Sequence, residues 1–134
     1  MKAARLVAPQ TFDFIEMDEP TPVDGEAKIR IEATSVCGSD IHGIYHGATP
    51  EEDYPLAPGV PCHEIAGTIV ESKTDALKEG QRAIVLPTRG MGGLAEYLVQ
   101  TPDRVLPVPD WGGIDEWVMC QHTGTVLYSV KQMG

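Results

Sequence analysis

The sequence predicts a mainly β domain, a small barrel or sandwich, followed by a helix at its C-terminal end. Three observations carry this. Fourteen glycines and eleven prolines are scattered through 134 residues rather than pooled, and they punctuate short runs rich in Val, Ile and Leu. The run Lys28-Ile29-Arg30-Ile31-Glu32-Ala33 alternates cleanly, which puts Ile29, Ile31 and Ala33 on one face of a strand. From Ile114 to Met133 there is no proline, and Trp117, Val118, Val126, Leu127 and Val130 recur at mixed helical spacings.

On this pattern, strands are expected at 3–7, 11–17, 27–36, 65–71, 82–86, 94–99 and 104–108. Several short strands with frequent turns favour closure, which hides edges that would otherwise template aggregation. Pro102, Pro107 and Pro109, with Trp111-Gly112-Gly113 behind them, mark the passage from barrel to helix. The expected division is a barrel over 1–113 and a linking helix over 114–134, which Gly124 could interrupt. No internal repeat or low-complexity segment is present.

Apolar residues make up 42% and charged residues 22%, far from the composition of disorder. A net charge of −10 repels phosphate backbones and anionic headgroups, which argues against nucleic acid and membrane surfaces as partners. The N-terminus lacks a long apolar stretch, and nowhere do roughly 18 apolar residues run uninterrupted. Three widely spaced cysteines, Cys37, Cys62 and Cys120, cannot complete a disulfide framework and fit a reducing, cytoplasmic setting. The absence of any Cys-x-x-Cys pair removes zinc ribbons and thioredoxin-type chemistry.

Two segments carry chemistry. Cys37-Gly38-Ser39-Asp40-Ile41-His42 follows the alternating strand and packs a thiol, a hydroxyl, a carboxylate and an imidazole into one short stretch. Read alone it could be a turn beside a buried cysteine. Gly59-Val60-Pro61-Cys62-His63-Glu64 stands just before the apolar run Ile65 to Val70, and a His-Glu pair alone is a weak motif.

Together, and in this order, the two segments resemble the Cys-x-Ser/Thr-Asp-x-His and Gly-His-Glu motifs of the zinc-containing medium-chain alcohol/polyol dehydrogenases. The resemblance continues through Glu79-Gly80-Gln81-Arg82-Ala83, Gly93-Leu94-Ala95-Glu96-Tyr97 and Val108-Pro109-Asp110, covering nearly the whole chain. It implies a GroES-like barrel, in agreement with the strand pattern. It also implies one catalytic zinc, for which three protein ligands and an open position are usual.

By this resemblance Cys37 and His63 are the first two ligands, and Asp40 orients an imidazole ligand and raises its basicity. Ser39 and His42 form the relay that carries the alcohol proton to solvent, and Glu64 sits beside the metal as an alternative ligand or a holder of water. In the family the third ligand lies on the segment entering the linking helix, here Met119-Cys120-Gln121-His122. An ungapped alignment from Val130 puts Gln121 at that place, and a one-residue shift puts Cys120 there. Thiolate is the better zinc ligand, so Cys120 is the expected one, with His122 a weaker candidate.

Gly38 stands where liver-type enzymes carry a basic residue and is closer to the sorbitol, threonine and polyol branches. Cys62 replaces the family's usual glycine before the histidine. If strand-like, its side chain points away from His63 and is inert. The stretch 86–93 holds no cysteine, so the four-cysteine structural zinc lobe of many relatives has no counterpart.

No Gly-x-Gly-x-x-Gly occurs, and Lys131-Gln132-Met133-Gly134 falls where relatives enter the Rossmann domain that binds the dinucleotide pyrophosphate. The expectation is therefore a zinc-binding catalytic domain of an alcohol or polyol dehydrogenase, inactive by itself. NAD or NADP, a missing Rossmann domain or parent subunit, and a small alcohol or polyol would be its partners. The alternatives are a non-catalytic GroES-like binding module and a zinc-free reductase relative.

Overall fold

The structure, a computed structural model, describes residues 1–47, 49–88 and 90–134. Ala48 and Arg89 lie outside the described residues, the latter within the cysteine-free stretch 86–93. The strands are β1 (Lys2–Ala8), β2 (Thr11–Glu16), β3 (Ala27–Ser35), β4 (Glu64–Ser72), β5 (Arg82–Val85), β6 (Tyr97–Gln100) and β7 (Val105–Pro107). Two helices follow, α1 (Ile114–Val118) and α2 (Cys120–Met133). The strands β1 and β2 form a hairpin, and the other five make one curled antiparallel sheet in the order β6-β3-β4-β5-β7.

Each expected strand is present. The largest difference is the strand read at 94–99, which becomes regular only at Tyr97. The reason is that 94–96 pairs sideways: the Leu94 carbonyl accepts from the Ala4 amide, Ala3 and Ala95 form a β-bridge, and the Glu96 carbonyl accepts from Ile31. This segment therefore stitches the hairpin to the main sheet, and with Leu56 and Gly59 donating to the Leu6 and Ala4 carbonyls it draws the barrel together.

Ile29, Ile65, Ile69, Leu77, Val85, Leu98 and Val105 fill the interior, with Ile31 packed against them. The alternation read in β3 thus holds for Ala27 and Ile29, which are fully buried, and weakens beyond the bulge between Ile31 and Ala33. Gly67 sits opposite that bulge, where any side chain would run into the Arg30 carbonyl, so the close approach of β3 and β4 requires glycine. α1 lies across β3 and β4 and buries Val118.

The helical region breaks at Met119, between α1 and α2, and not at Gly124, which lies inside an uninterrupted α2. Nothing contacts a Cβ built on Gly124, so the glycine costs only propensity, about 1 kcal/mol, and does not end the helix. No helix among the described residues is long and apolar enough to cross a membrane. Truncating Ile69, which is fully buried in this core, to alanine is expected to cost about 2–5 kcal/mol, read as a lowered denaturant midpoint with the fold retained.

Candidate metal centre

The register of β3 against β4 builds the site. Thr34 lies opposite Ile65 and Ser35 opposite Glu64. The chain leaving β3 then reaches Cys37, and the chain about to enter β4 has just passed His63, so both side chains come off the same end of one ladder. The ligand atoms of Cys37, His63 and Glu64 lie within 4.8 Å of one another.

Glu64 is tied down on several sides. Its backbone carbonyl accepts from Thr34 Oγ1 at 2.9 Å, and its Oε2 accepts from Ser35 Oγ at 2.5 Å. His122 Nε2 approaches the same Oε2 at 2.6 Å. The carboxylate is buried, at 2% exposure, and these polar partners make that burial tolerable.

Asp40 is the second buried carboxylate, at 1% exposure. Its Oδ2 accepts from the Cys37 amide at 2.9 Å, while Oδ1 accepts from the Cys62 amide at 3.2 Å and contacts His63 Nδ1 at 3.0 Å. With Nδ1–H donating to Asp40, the other ring nitrogen of His63, Nε2, is the one left for a metal.

Asp40 also opens a π-helical turn, Asp40–Tyr45, a rare element that often marks functional sites. The turn and the residues before it leave Ser39 and His42 exposed. The His42 ring stacks on His46 at 6.4 Å, and no hydrogen bond joins Ser39 to His42 among the described residues.

Cys120, expected as the third ligand, is the first residue of α2 and lies outside the converging group, as does His122. The side chain that joins Cys37 and His63 in that group is Glu64, which the β-ladder register carries there. Gln121 Oε1 and His122 Nδ1 are both buried with no hydrogen-bond partner among the described residues.

Cys62 is not strand-like. It has φ of 102°, in the left-handed half of backbone space, where glycine is at ease and a side chain is strained. That conformation explains the glycine usual at this place in the resembled family. The thiol is 3% exposed, and burial, followed by the negative charge of Asp40, pushes it from the ordinary 9.0 up to about 11. It stays protonated at neutral pH and is a poor ligand there.

These features define a barrel with a cysteine, a histidine and a glutamate gathered at one strand end. The alcohol dehydrogenase GroES-like domain family matches residues 23–110, and the chain belongs to that family.

Among curated relatives, the starvation-sensing protein RspB of Escherichia coli K12 is 30% identical over 126 residues, covering 89% of this chain and 36% of its own. The uncharacterized zinc-type alcohol dehydrogenase-like protein YphC of the same organism is 36% identical over 98 residues, covering 69% of this chain and 28% of its own. The crystal structure of an alcohol dehydrogenase (rspB) from Escherichia coli CFT073, complexed with NADH, superposes with a TM-score of 0.73 at 25% identity, covering 89% of this chain and 41% of that one. The chain thus spans about a third of the length of these curated relatives.

The strain and the proton affinity of Cys62 give a checkable outcome. Cys62→Gly is expected to raise stability by about 1 kcal/mol at neutral pH, relief of strain outweighing the small thiol burial lost. The folded chain holds the Cys62 proton longer than the unfolded chain does, so this residue withdraws stability as pH climbs from 9.0 toward about 11. The glycine variant escapes that loss. Its advantage in thermal midpoint should therefore be larger at pH 10 than at pH 7, and an advantage that shrinks with pH would contradict the assignment.

Proposed function

We propose that this chain is the metal-binding catalytic portion of a zinc-dependent dehydrogenase that oxidises a secondary alcohol or polyol with NAD or NADP. The observation that carries the reading is the convergence of the Cys37, His63 and Glu64 donor atoms, with Asp40 on the far nitrogen of His63. A sulfur, an imidazole nitrogen and a carboxylate oxygen form a donor set suited to zinc. When bound, zinc would polarise the substrate oxygen and make the alcohol proton easier to remove.

The chain's own residues would do the rest. Asp40 fixes the His63 tautomer and holds the Cys37 loop, so both donors are presented before any ligand arrives. Ser39 and His42, exposed just beyond Cys37, would take the hydroxyl proton in turn, His42 delivering it to solvent. Cys120 is left without a donor role in this arrangement. Buried, protonated Cys62 shapes the loop and takes no part.

The hydride acceptor requires a nucleotide-binding domain of the kind implied by the resemblance. The surface offered to it would be Trp111, 70% exposed and ring-packed on Trp117 at 4.9 Å, together with the exposed Val126, Leu127 and Val130 of α2. A cytoplasmic setting fits three free cysteines, one of them a proposed metal ligand.

Purified chain is expected to hold zinc near one equivalent by elemental analysis. Cys37→Ala and His63→Ala should each abolish tight binding, whereas Cys62→Ala and Cys120→Ala should leave it. Full zinc retained by both of the first two variants would sink the reading, and loss on Cys120→Ala would return the third ligand to α2. The 134-residue chain alone is expected to give no alcohol-dependent reduction of NAD or NADP. In a dehydrogenase completed by a nucleotide-binding domain, Ser39→Ala and His42→Ala should keep the zinc and slow proton transfer by about 10²–10⁴-fold.

A further inference from the structure

We infer that His122 is a positioning residue for the metal centre: reaching from the first turn of α2, it holds the Glu64 carboxylate in the orientation from which that carboxylate serves as a ligand. The inference rests on the metal reading proposed above and concerns a residue that the ligand set does not include.

The contact is close, with His122 Nε2 at 2.6 Å from Glu64 Oε2. It falls on the same oxygen that accepts from Ser35. The Ser35 hydrogen bond and the His122 contact both fall on Oε2 and leave Oε1 as the oxygen with lone pairs to spare. Ser35 belongs to β3 and is set by the strand register, but one hydrogen bond leaves the carboxylate free to rotate about it. The imidazole supplies the second point.

The tautomer agrees. His122 Nδ1 is buried without a partner among the described residues, and with Nε2 carrying the hydrogen it presents a bare lone pair rather than an unmet N–H.

The arrangement also explains which part of α2 is held. Cys120, Gln121 and His122 are half-buried, whereas every residue from Thr123 to Gly134 is exposed. The helix is anchored at the turn that carries His122. Cys120, on the same turn, stands outside the donor group, so α2 would contribute to the centre through the contact of His122 on a ligand in place of a ligand of its own.

The test uses the full chain loaded with zinc or with cobalt(II). His122→Ala should weaken zinc, measured by chelator competition, by about 10–100-fold, the usual cost of losing a group that orients a ligand. It should also shift the visible ligand-field bands of the cobalt form, which a purely structural role would leave in place. His122→Gln, which keeps an N–H donor, should recover most of both. In a Glu64→Gln background, His122→Ala should cause no further loss.

Unchanged affinity and bands in His122→Ala, with binding still lost in Cys37→Ala and His63→Ala, would overturn this inference and leave the metal reading standing. An undiminished loss in the Glu64→Gln background would overturn it too, since His122 would then not act through Glu64. Full metal retained by Cys37→Ala and His63→Ala would remove the metal reading and this inference together.

Discussion

The structure around the candidate centre depends on one buried carboxylate. Asp40 is almost wholly removed from solvent, and an unpaired charge in that position would cost several kcal/mol. It is tolerated because N–H groups from three places in the chain point at it: the amide of Cys37, the amide of Cys62 and the ring of His63. Bonds to an ionised acceptor contribute about 1.5–3 kcal/mol each. The same contacts join the end of β3 to the loop that enters β4. The carboxylate therefore stabilises the crossing of two loops, and in doing so presents a thiol and an imidazole side by side. Fold and site share a single polar knot.

Much of this was legible in the sequence. The alternation in Lys28 to Ala33 points to the strands, and the clustered chemistry of Cys37 to His42 with the His63-Glu64 pair picks out the segments that the fold brings together. What was not legible is what depends on pairing between distant segments. Glu64 reads as either an alternative ligand or a holder of water, because sequence alone does not give the β3–β4 register. Once Ser35 is opposite Glu64, the carboxylate is held by the strand beside it and converges with the other donors. The start of the strand at 94–96 differs for the same reason, since Leu94 and Ala95 pair with β1 while Glu96 bonds to both Lys2 of β1 and Ile31 of β3.

Local backbone chemistry hid two further features. The reading of Cys62 is conditional on a strand, where its side chain would alternate with that of His63. Its positive φ takes it out of that pattern, and the family glycine it replaces was the available signal. Gly124 reads, on propensity, as a place where the helix could be interrupted. In the fold it faces open space, and the helical region breaks instead at Met119, where the chain turns from α1 lying on the sheet to α2. Propensity is a weak guide where packing sets the direction of the chain.

The proposed choice of a strand donor over a helix donor has a physical consequence. A ligand on α2 would ride on a helix of which only the first turn touches the barrel, and an isolated helix of 14 residues is marginal in water. Glu64 rides instead on β4, whose ladders with β3 and β5 fix its backbone, with Thr34 and Ser35 fixing its carbonyl and carboxylate. Cys37 and His63 flank the same ladder. All three proposed donors are therefore positioned by the sheet, and the entropy of arranging them is spent in folding rather than in metal binding. What α2 adds through His122 is a second constraint on a donor already in place. The centre can thus be formed by the barrel, while the helix remains the element through which a packed neighbour would be felt.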